Sequence, residues 1–183
     1  MTVLRSIVMA VCLSRELLTG DDVLVQELGW RADRVRDADE LVRWRPTIGV
    51  SSVSGTWAGA CEDGRWVVGR PGRHVLWADS PPGVVALLPL LERPMDQVAA
   101  GLGVVGIDEH GLGLEDVVDA ALDGRASGHW AEMAVAWLDA GFPAARYQGG
   151  LRRVLSDRGV GQRARQAAAR ILAREFPGPD QPG

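Results

Sequence analysis

Lysine and asparagine are absent from these 183 residues, so all 20 basic side chains are arginine. Arg, Ala, Gly, Val and Trp are favoured by GC-rich codons and Lys and Asn by AT-rich ones. A GC-rich bacterial genome therefore accounts for the bias without any appeal to function. Cysteine is nearly missing too. Cys12 and Cys61 make neither a metal-ligand spacing nor a disulfide framework, and read as buried thiols of a reducing cytoplasm. Long apolar runs are lacking: the N-terminal stretch "VLRSIVMAVCLS" stays apolar for only about nine residues before Arg15 and Glu16, and no small-x-small cleavage site follows. With no segment able to span a bilayer, the expected location is the cytoplasm, away from a membrane. A strong net charge is also lacking. At −4 the chain does not carry the basic balance of a dedicated nucleic-acid binder, so nucleic acid is not the expected partner.

Among aromatics, 7 Trp stand beside 2 Phe and 1 Tyr. Tryptophan is a common interface anchor, but most of these are expected in the core. Length and composition suit a single globular domain over residues 1–176, followed by a flexible Pro- and Gly-rich tail over 177–183.

Three textures follow one another along the chain. Residues 1–46 read as helical: Val3, Leu4, Ile7, Val8 and Val11 recur at helical spacing, and Asp21 can cap "DVLVQELG". "RADRVRDADELVRWR" then alternates charges around a narrow stripe of Val35, Ala38, Leu41 and Val42, a solvated helix that Arg45 ends before Pro46. Residues 47–79 are rich in Val, Trp, Thr, Ser and Gly. Asp63-Gly64 signals a hairpin and "RPGR" a second turn, giving a small antiparallel sheet of three or four strands. In "HVLWA", Val75 and Trp77 share one face, while His74, Leu76 and Ala78 share the other. Residues 80–175 return to helices, opening with the cap Ser80-Pro81 and interrupted at Pro89. "LEDVVDAALDG" places Leu114, Val117, Val118, Ala121 and Leu122 on one face; "HWAEMAVAWLDAG" does the same for Trp130, Met133, Ala134, Trp137 and Leu138. Leu151, Val154, Leu155, Ala168, Ile171 and Leu172 supply the last apolar stripes. No repeat unit recurs, which excludes a solenoid. The predicted fold class is α+β: N-terminal helices, a small antiparallel sheet at about residues 47–79, and a C-terminal helical layer.

The stretch "GIDEHGLGLED" gathers Asp108, Glu109 and His110 between glycines. Adjacent side chains diverge in any regular structure, so these three do not converge on a metal unaided. They read first as the polar entrance to the following helix, where the positive dipole end favours carboxylates. His74 is the other candidate acid–base residue. His129, opening a helix, reads as a surface or capping residue, and no Ser lies in a nucleophile elbow. His74, Asp108, Glu109 and His110 are thus the catalytic candidates, with no metal site and no cofactor fingerprint.

Charge is segregated. Residues 108–123 hold six carboxylates and no Arg, whereas residues 144–174 hold eight Arg and one Asp. Asp116, Asp119 and Asp123 share a helix face, and Arg163, Arg170 and Arg174 lie within about 40° of each other around theirs. Either these faces answer one another across neighbouring helices, or they meet a partner. Two functions are expected from this. The first is a cytoplasmic protein-interaction module that neutralises or regulates another protein, as immunity proteins do, with those six residues as partner contacts. The second is a small enzyme or small-molecule-binding protein of bacterial secondary metabolism, with its site between sheet and helices.

Overall fold

The structure, a computed structural model, describes residues 29–104 and 111–177. The helices expected over residues 1–28, the residue Cys12 and nearly all of the expected C-terminal tail lie outside them. The protein is mixed α/β. The described residues form five strands, β1 (Arg31–Arg34), β2 (Leu41–Ser51), β3 (Thr56–Cys61), β4 (Trp66–Gly69) and β5 (Val75–Trp77). They form one antiparallel sheet in the order β1-β2-β3-β4-β5. Six α-helices follow: α1 (Pro81–Leu87), α2 (Met95–Val104), α3 (Leu114–Leu122), α4 (Gly128–Asp139), α5 (Gln148–Ser156) and α6 (Gln162–Glu175), with a 3₁₀ helix at Leu88–Glu92 after α1.

The sheet begins 16 residues earlier than expected, at Arg31, and residues 31–45 are not a helix. They form β1, a turn and the first half of β2. Asp39, at φ 46°, turns the chain, and the Val35 N–H donates back to the Glu40 carbonyl at 2.8 Å. From there burial alternates with period two: Val42, Trp44 and Pro46 are buried, while Leu41, Arg43 and Arg45 are exposed. Alternating charges fit a strand with one wet face as well as they fit a solvated helix, and pairing with β3 decides between them. Pro46 sits inside β2 because β1 stops at Arg31, opposite Trp44, so no ladder bond is wanted from Pro46 on that side. A register shift follows between Pro46 and Ile48.

The sheet curls until its first and last strands touch. Val35 bridges Val75 in parallel, and the Arg36 N–H donates to the Val75 carbonyl at 2.9 Å. The concave face encloses a small core of Val35, Val42, Trp44, Cys61, Val67 and Val75, edged by Trp57 and Trp77. The outer face contributes Ile48, Ala58, Trp66 and Val68, with Leu76 at its margin, to the main core shared with the helices. Val75 and Trp77 thus face inward and Leu76 outward, as their alternation requires. Gly59 is required on β3: a Cβ there would strike the Arg45 carbonyl and come within 2.7 Å of Trp44 Cε3.

One buried carboxylate ties the concave face together. Asp33 of β1 accepts a 2.8 Å hydrogen bond from Trp44 Nε1 on β2 and a 3.1 Å bond from the Gly72 N–H in the β4–β5 turn. Two donors, one from a neighbouring strand and one from the far edge, make the burial of this charge tolerable.

The helices form where capping and periodicity place them. Ser80 accepts from the Gly83 N–H and precedes Pro81 at the first position of α1. Pro89 ends regular α-helix there, and the 3₁₀ turn buries Leu88, Leu90 and Leu91. Leu114, Val117, Val118, Ala121 and Leu122 of α3 are all buried. On α4 the buried set is rotated: Ala131 and Val135 join Ala134, Trp137 and Leu138, while Trp130 and Met133 are half-buried at its edge. Packing of α4 between the 3₁₀ helix, α3 and α6 widens its apolar side. Leu155 stays exposed. No helix among the described residues is long and apolar enough to cross a membrane.

The Asp33 tie gives a stability test. Trp44→Phe removes one of its two donors and is expected to lower unfolding stability by about 2 kcal/mol. In a double-mutant cycle with Asp33→Ala, denaturant melts should return a coupling above about 1 kcal/mol. Simple additivity would show that the tie contributes nothing beyond packing.

Candidate functional site

Most of the anticipated site residues fall on the helical half. Asp108, Glu109 and His110 lie outside the described residues. Asp116 and Asp119 are on α3 and Asp123 at its C-terminal end. They face α5 and the loop before it, where Arg146 reaches three carboxylates: Glu115 at 2.8 Å, Asp116 at 3.3 Å and Asp119 at 2.7 Å. Tyr147 beside it is buried and donates its hydroxyl to the Glu115 carbonyl at 3.1 Å. Burial pushes that phenol well above its ordinary value, and the Arg146 charge offsets this only in part. Arg153 caps the other end of α3 by donating to the Leu122 carbonyl at 2.6 Å, with Asp123 at 3.7 Å. The acidic face of α3 is therefore answered by arginines of the next segment, while its side chains remain about half exposed.

The basic face of α6 is mixed. Arg170 pairs with Asp139 at 3.0 Å and Arg174 with Glu175 at 2.7 Å. Arg163 is exposed and has no ion pair among the described residues. The N-terminus of α6 is capped by Glu132, which accepts from the Gly161 N–H at 2.7 Å. His129, at the start of α4, is exposed and lies 3.1 Å from Glu92.

Two features of the sheet half had no clear signal in the sequence, because both depend on the curl. The first is a cleft of about 810 Å³ along the seam where β1 approaches β5. Arg34, Arg36, Arg70, Arg73 and His74 line it with Asp33, over an apolar side made by Leu41, Val68, Leu76 and Ala86. Among the described residues, His74 thus has arginines around it in the cleft. Gly72, at φ 81°, lets the 70–73 turn close tightly beside Asp33. Arg34 is engaged by Asp39 at 2.9 Å, whereas Arg36, Arg70 and Arg73 have no carboxylate partner among the described residues. Their charge is left for solvent or a ligand.

The second is the outer face of β1 and the first half of β2, which no helix among the described residues covers. Trp30 is 46% exposed there and Leu41 62%. The guanidinium groups of Arg43 and Arg45 lie 5.8 and 6.0 Å from the Trp30 ring centre. Trp44, Trp66 and Trp137 are buried, and Trp57, Trp77 and Trp130 are half-buried against the cores. As composition suggested, most tryptophans are structural; Trp30 is the exception.

Neither cleft nor face holds an activated nucleophile. Cys61 is closed inside the curled sheet, and burial, with Asp63 adding to it, pushes its thiol up to about 11. No three His, Cys, Asp or Glu among the described residues gather closely enough to hold a metal ion.

Two outcomes are expected. Arg146→Met should lower stability by about 1 kcal/mol at low salt, since it leaves three carboxylates facing one another, and by less in high salt; equal losses at both ionic strengths would remove the electrostatic account. In a Cys12→Ser background, Cys61 should resist a thiol reagent at pH 8 and react on unfolding. A folded value above the ordinary 9.0 means this group's stabilising contribution is complete below about pH 9 and fades as pH approaches 11; rapid labelling of the native protein at pH 8 would contradict its burial. Compared with known proteins, the chain matches no family model, no curated protein and no solved structure.

Proposed function

We propose that this chain is a protein-interaction module of the bacterial cytoplasm, binding and thereby neutralising or regulating a second protein, and that it docks through the sheet face around Trp30. The observation that carries this reading is the exposure of Trp30, beside Arg43 and Arg45 on a part of the sheet that no helix among the described residues covers. Tryptophan and arginine dominate interface hot spots because they bury large area while keeping a polar or charged edge. Arg43 is met by Glu62 at 2.8 Å, whereas Arg45 has no carboxylate partner among the described residues, so the fitting partner presents an acid opposite Arg45 beside an apolar pocket for Trp30. Asp116, Asp119, Asp123, Arg163, Arg170 and Arg174 remain a second possible contact zone, weakened by the internal pairing of most of them.

A second reading is supported by the seam cleft. A concavity of this size, with charged groups at one side and an apolar side opposite, suits a small-molecule-binding protein or small enzyme of bacterial secondary metabolism. His74 and Asp33 are its only acid–base groups among the described residues that line it, and Asp33 is committed to two structural hydrogen bonds.

The first reading is tested with a partner identified by pull-down from the native host and then purified. Trp30→Ala should weaken the binary complex by about 2 kcal/mol or more while leaving the melting temperature in place. The triple change of Asp116, Asp119 and Asp123 to Ala should leave affinity unchanged. If affinity ignores Trp30 and follows the three aspartates, the docking face lies on α3 instead.

A further inference from the structure

We propose that the seam cleft is a binding site for a small polyphosphate-bearing ligand of about nucleotide size. This rests on the second reading above, and not on the Trp30 face.

Four arginines on two separate segments, Arg34 at the end of β1 and Arg36 just after it, and Arg70 and Arg73 in the β4–β5 turn, line one cavity of about 810 Å³. Three of the four have no counter-ion among the described residues. Elsewhere among the described residues some arginines are matched, Arg146 by three carboxylates, Arg65 by Asp63 and Glu40 and Arg170 by Asp139, and others such as Arg152 and Arg163 are unpaired on open surface. Unmatched arginines gathered at a concavity mark a place where a dense negative charge is accepted.

Asp33, the one carboxylate among the described residues that line the cleft, does not cancel them. The Trp44 Nε1 and Gly72 N–H bonds both end on a single oxygen of Asp33 and hold that side chain within the protein framework, at 6% exposure. The same bond fixes the turn that carries Arg70, Arg73 and His74, so these side chains start from an ordered backbone and less entropy is lost on binding.

The ligand class follows from geometry. Guanidinium forks match the paired oxygens of phosphate, and several forks around one small volume suit several phosphoryl groups linked together. An extended acidic peptide spaces its carboxylates about 3.3 Å apart per residue along a strand, on alternating sides, and would present fewer charges to this volume. The apolar side, with Leu41, Val68, Leu76 and Ala86, offers a surface for a ring or other apolar body attached to the phosphates. His74 adds a ring nitrogen to the lining, able to hydrogen-bond a ligand oxygen.

The test uses the full chain and isothermal calorimetry with two probes, tripolyphosphate and ATP, both without added metal. Both should bind, less tightly at higher salt. The double change Arg36→Gln and Arg73→Gln should weaken binding about tenfold or more, with Arg70→Gln as a second, independent variant and circular dichroism showing each remains folded. Trp30→Ala should bind both probes as the parent does. Tighter binding of ATP than of tripolyphosphate would bring in the apolar side; equal binding would assign the site to the phosphate chain alone. The proposal is overturned if neither probe binds, if binding ignores the arginine changes, or if a single-stranded oligonucleotide uses the same arginines and binds far more tightly than ATP. A thermal-shift screen of neutral and cationic small molecules separates the two levels. Hits abolished by Leu76→Arg, with no polyphosphate binding, would keep the small-molecule reading and sink the anion class; no hits at all would sink both.

Discussion

The sheet half of this protein depends on where one negative charge is kept. Asp33 is buried on the concave face, and its carboxylate receives donors from the adjacent strand and from the turn at the opposite edge of the meander. A charge removed from water is tolerable only with such partners, so the fold that buries it must bring β1, β2 and the β4–β5 turn together. Closure of the sheet, the enclosure of Trp44 and Cys61, and the gathering of Arg36, Arg70, Arg73 and His74 along one seam are all consequences of the same constraint.

In the helical layer, acids of α3 are met by Arg146 and Arg153, and Asp139 by Arg170, so much of the segregation visible along the chain is cancelled in space. Around the curled sheet, Arg31, Arg36, Arg45, Arg70 and Arg73 have no such acids among the described residues. Arg93, Arg152, Arg158, Arg163 and Arg165 of the helical half have no carboxylate partner among the described residues either, so unpaired positive charge is found in both halves.

How far the sequence revealed this can be followed residue by residue. Local signals were sufficient wherever the structure is local. Asp63-Gly64 and residues 70–73 do make turns, Ser80-Pro81 does start a helix, and the five apolar positions of α3 are its buried face. Residues 31–45 misled because charge alternation satisfies both periods; only the pairing of Arg31 with Trp44 and of Trp44 with Cys61 selects the strand. The cleft and the Trp30 face were not legible. Arg36 and Arg73 are far apart in sequence, and their meeting depends on a curl that no window of residues encodes. Asp33 looked like one charge among many, since nothing local distinguishes an acid that will be buried by a tryptophan eleven positions on.

The seam itself has a mechanical meaning. Four antiparallel ladders run through the sheet, but its ends meet at one rung, Val35 to Val75. Such a sheet is a clasp more than a ring: parting that rung would sacrifice little of the strand pairing and would leave the meander whole. Opening the clasp would cost that bridge and the Asp33 bond to Gly72 and would touch no contact of the helical half.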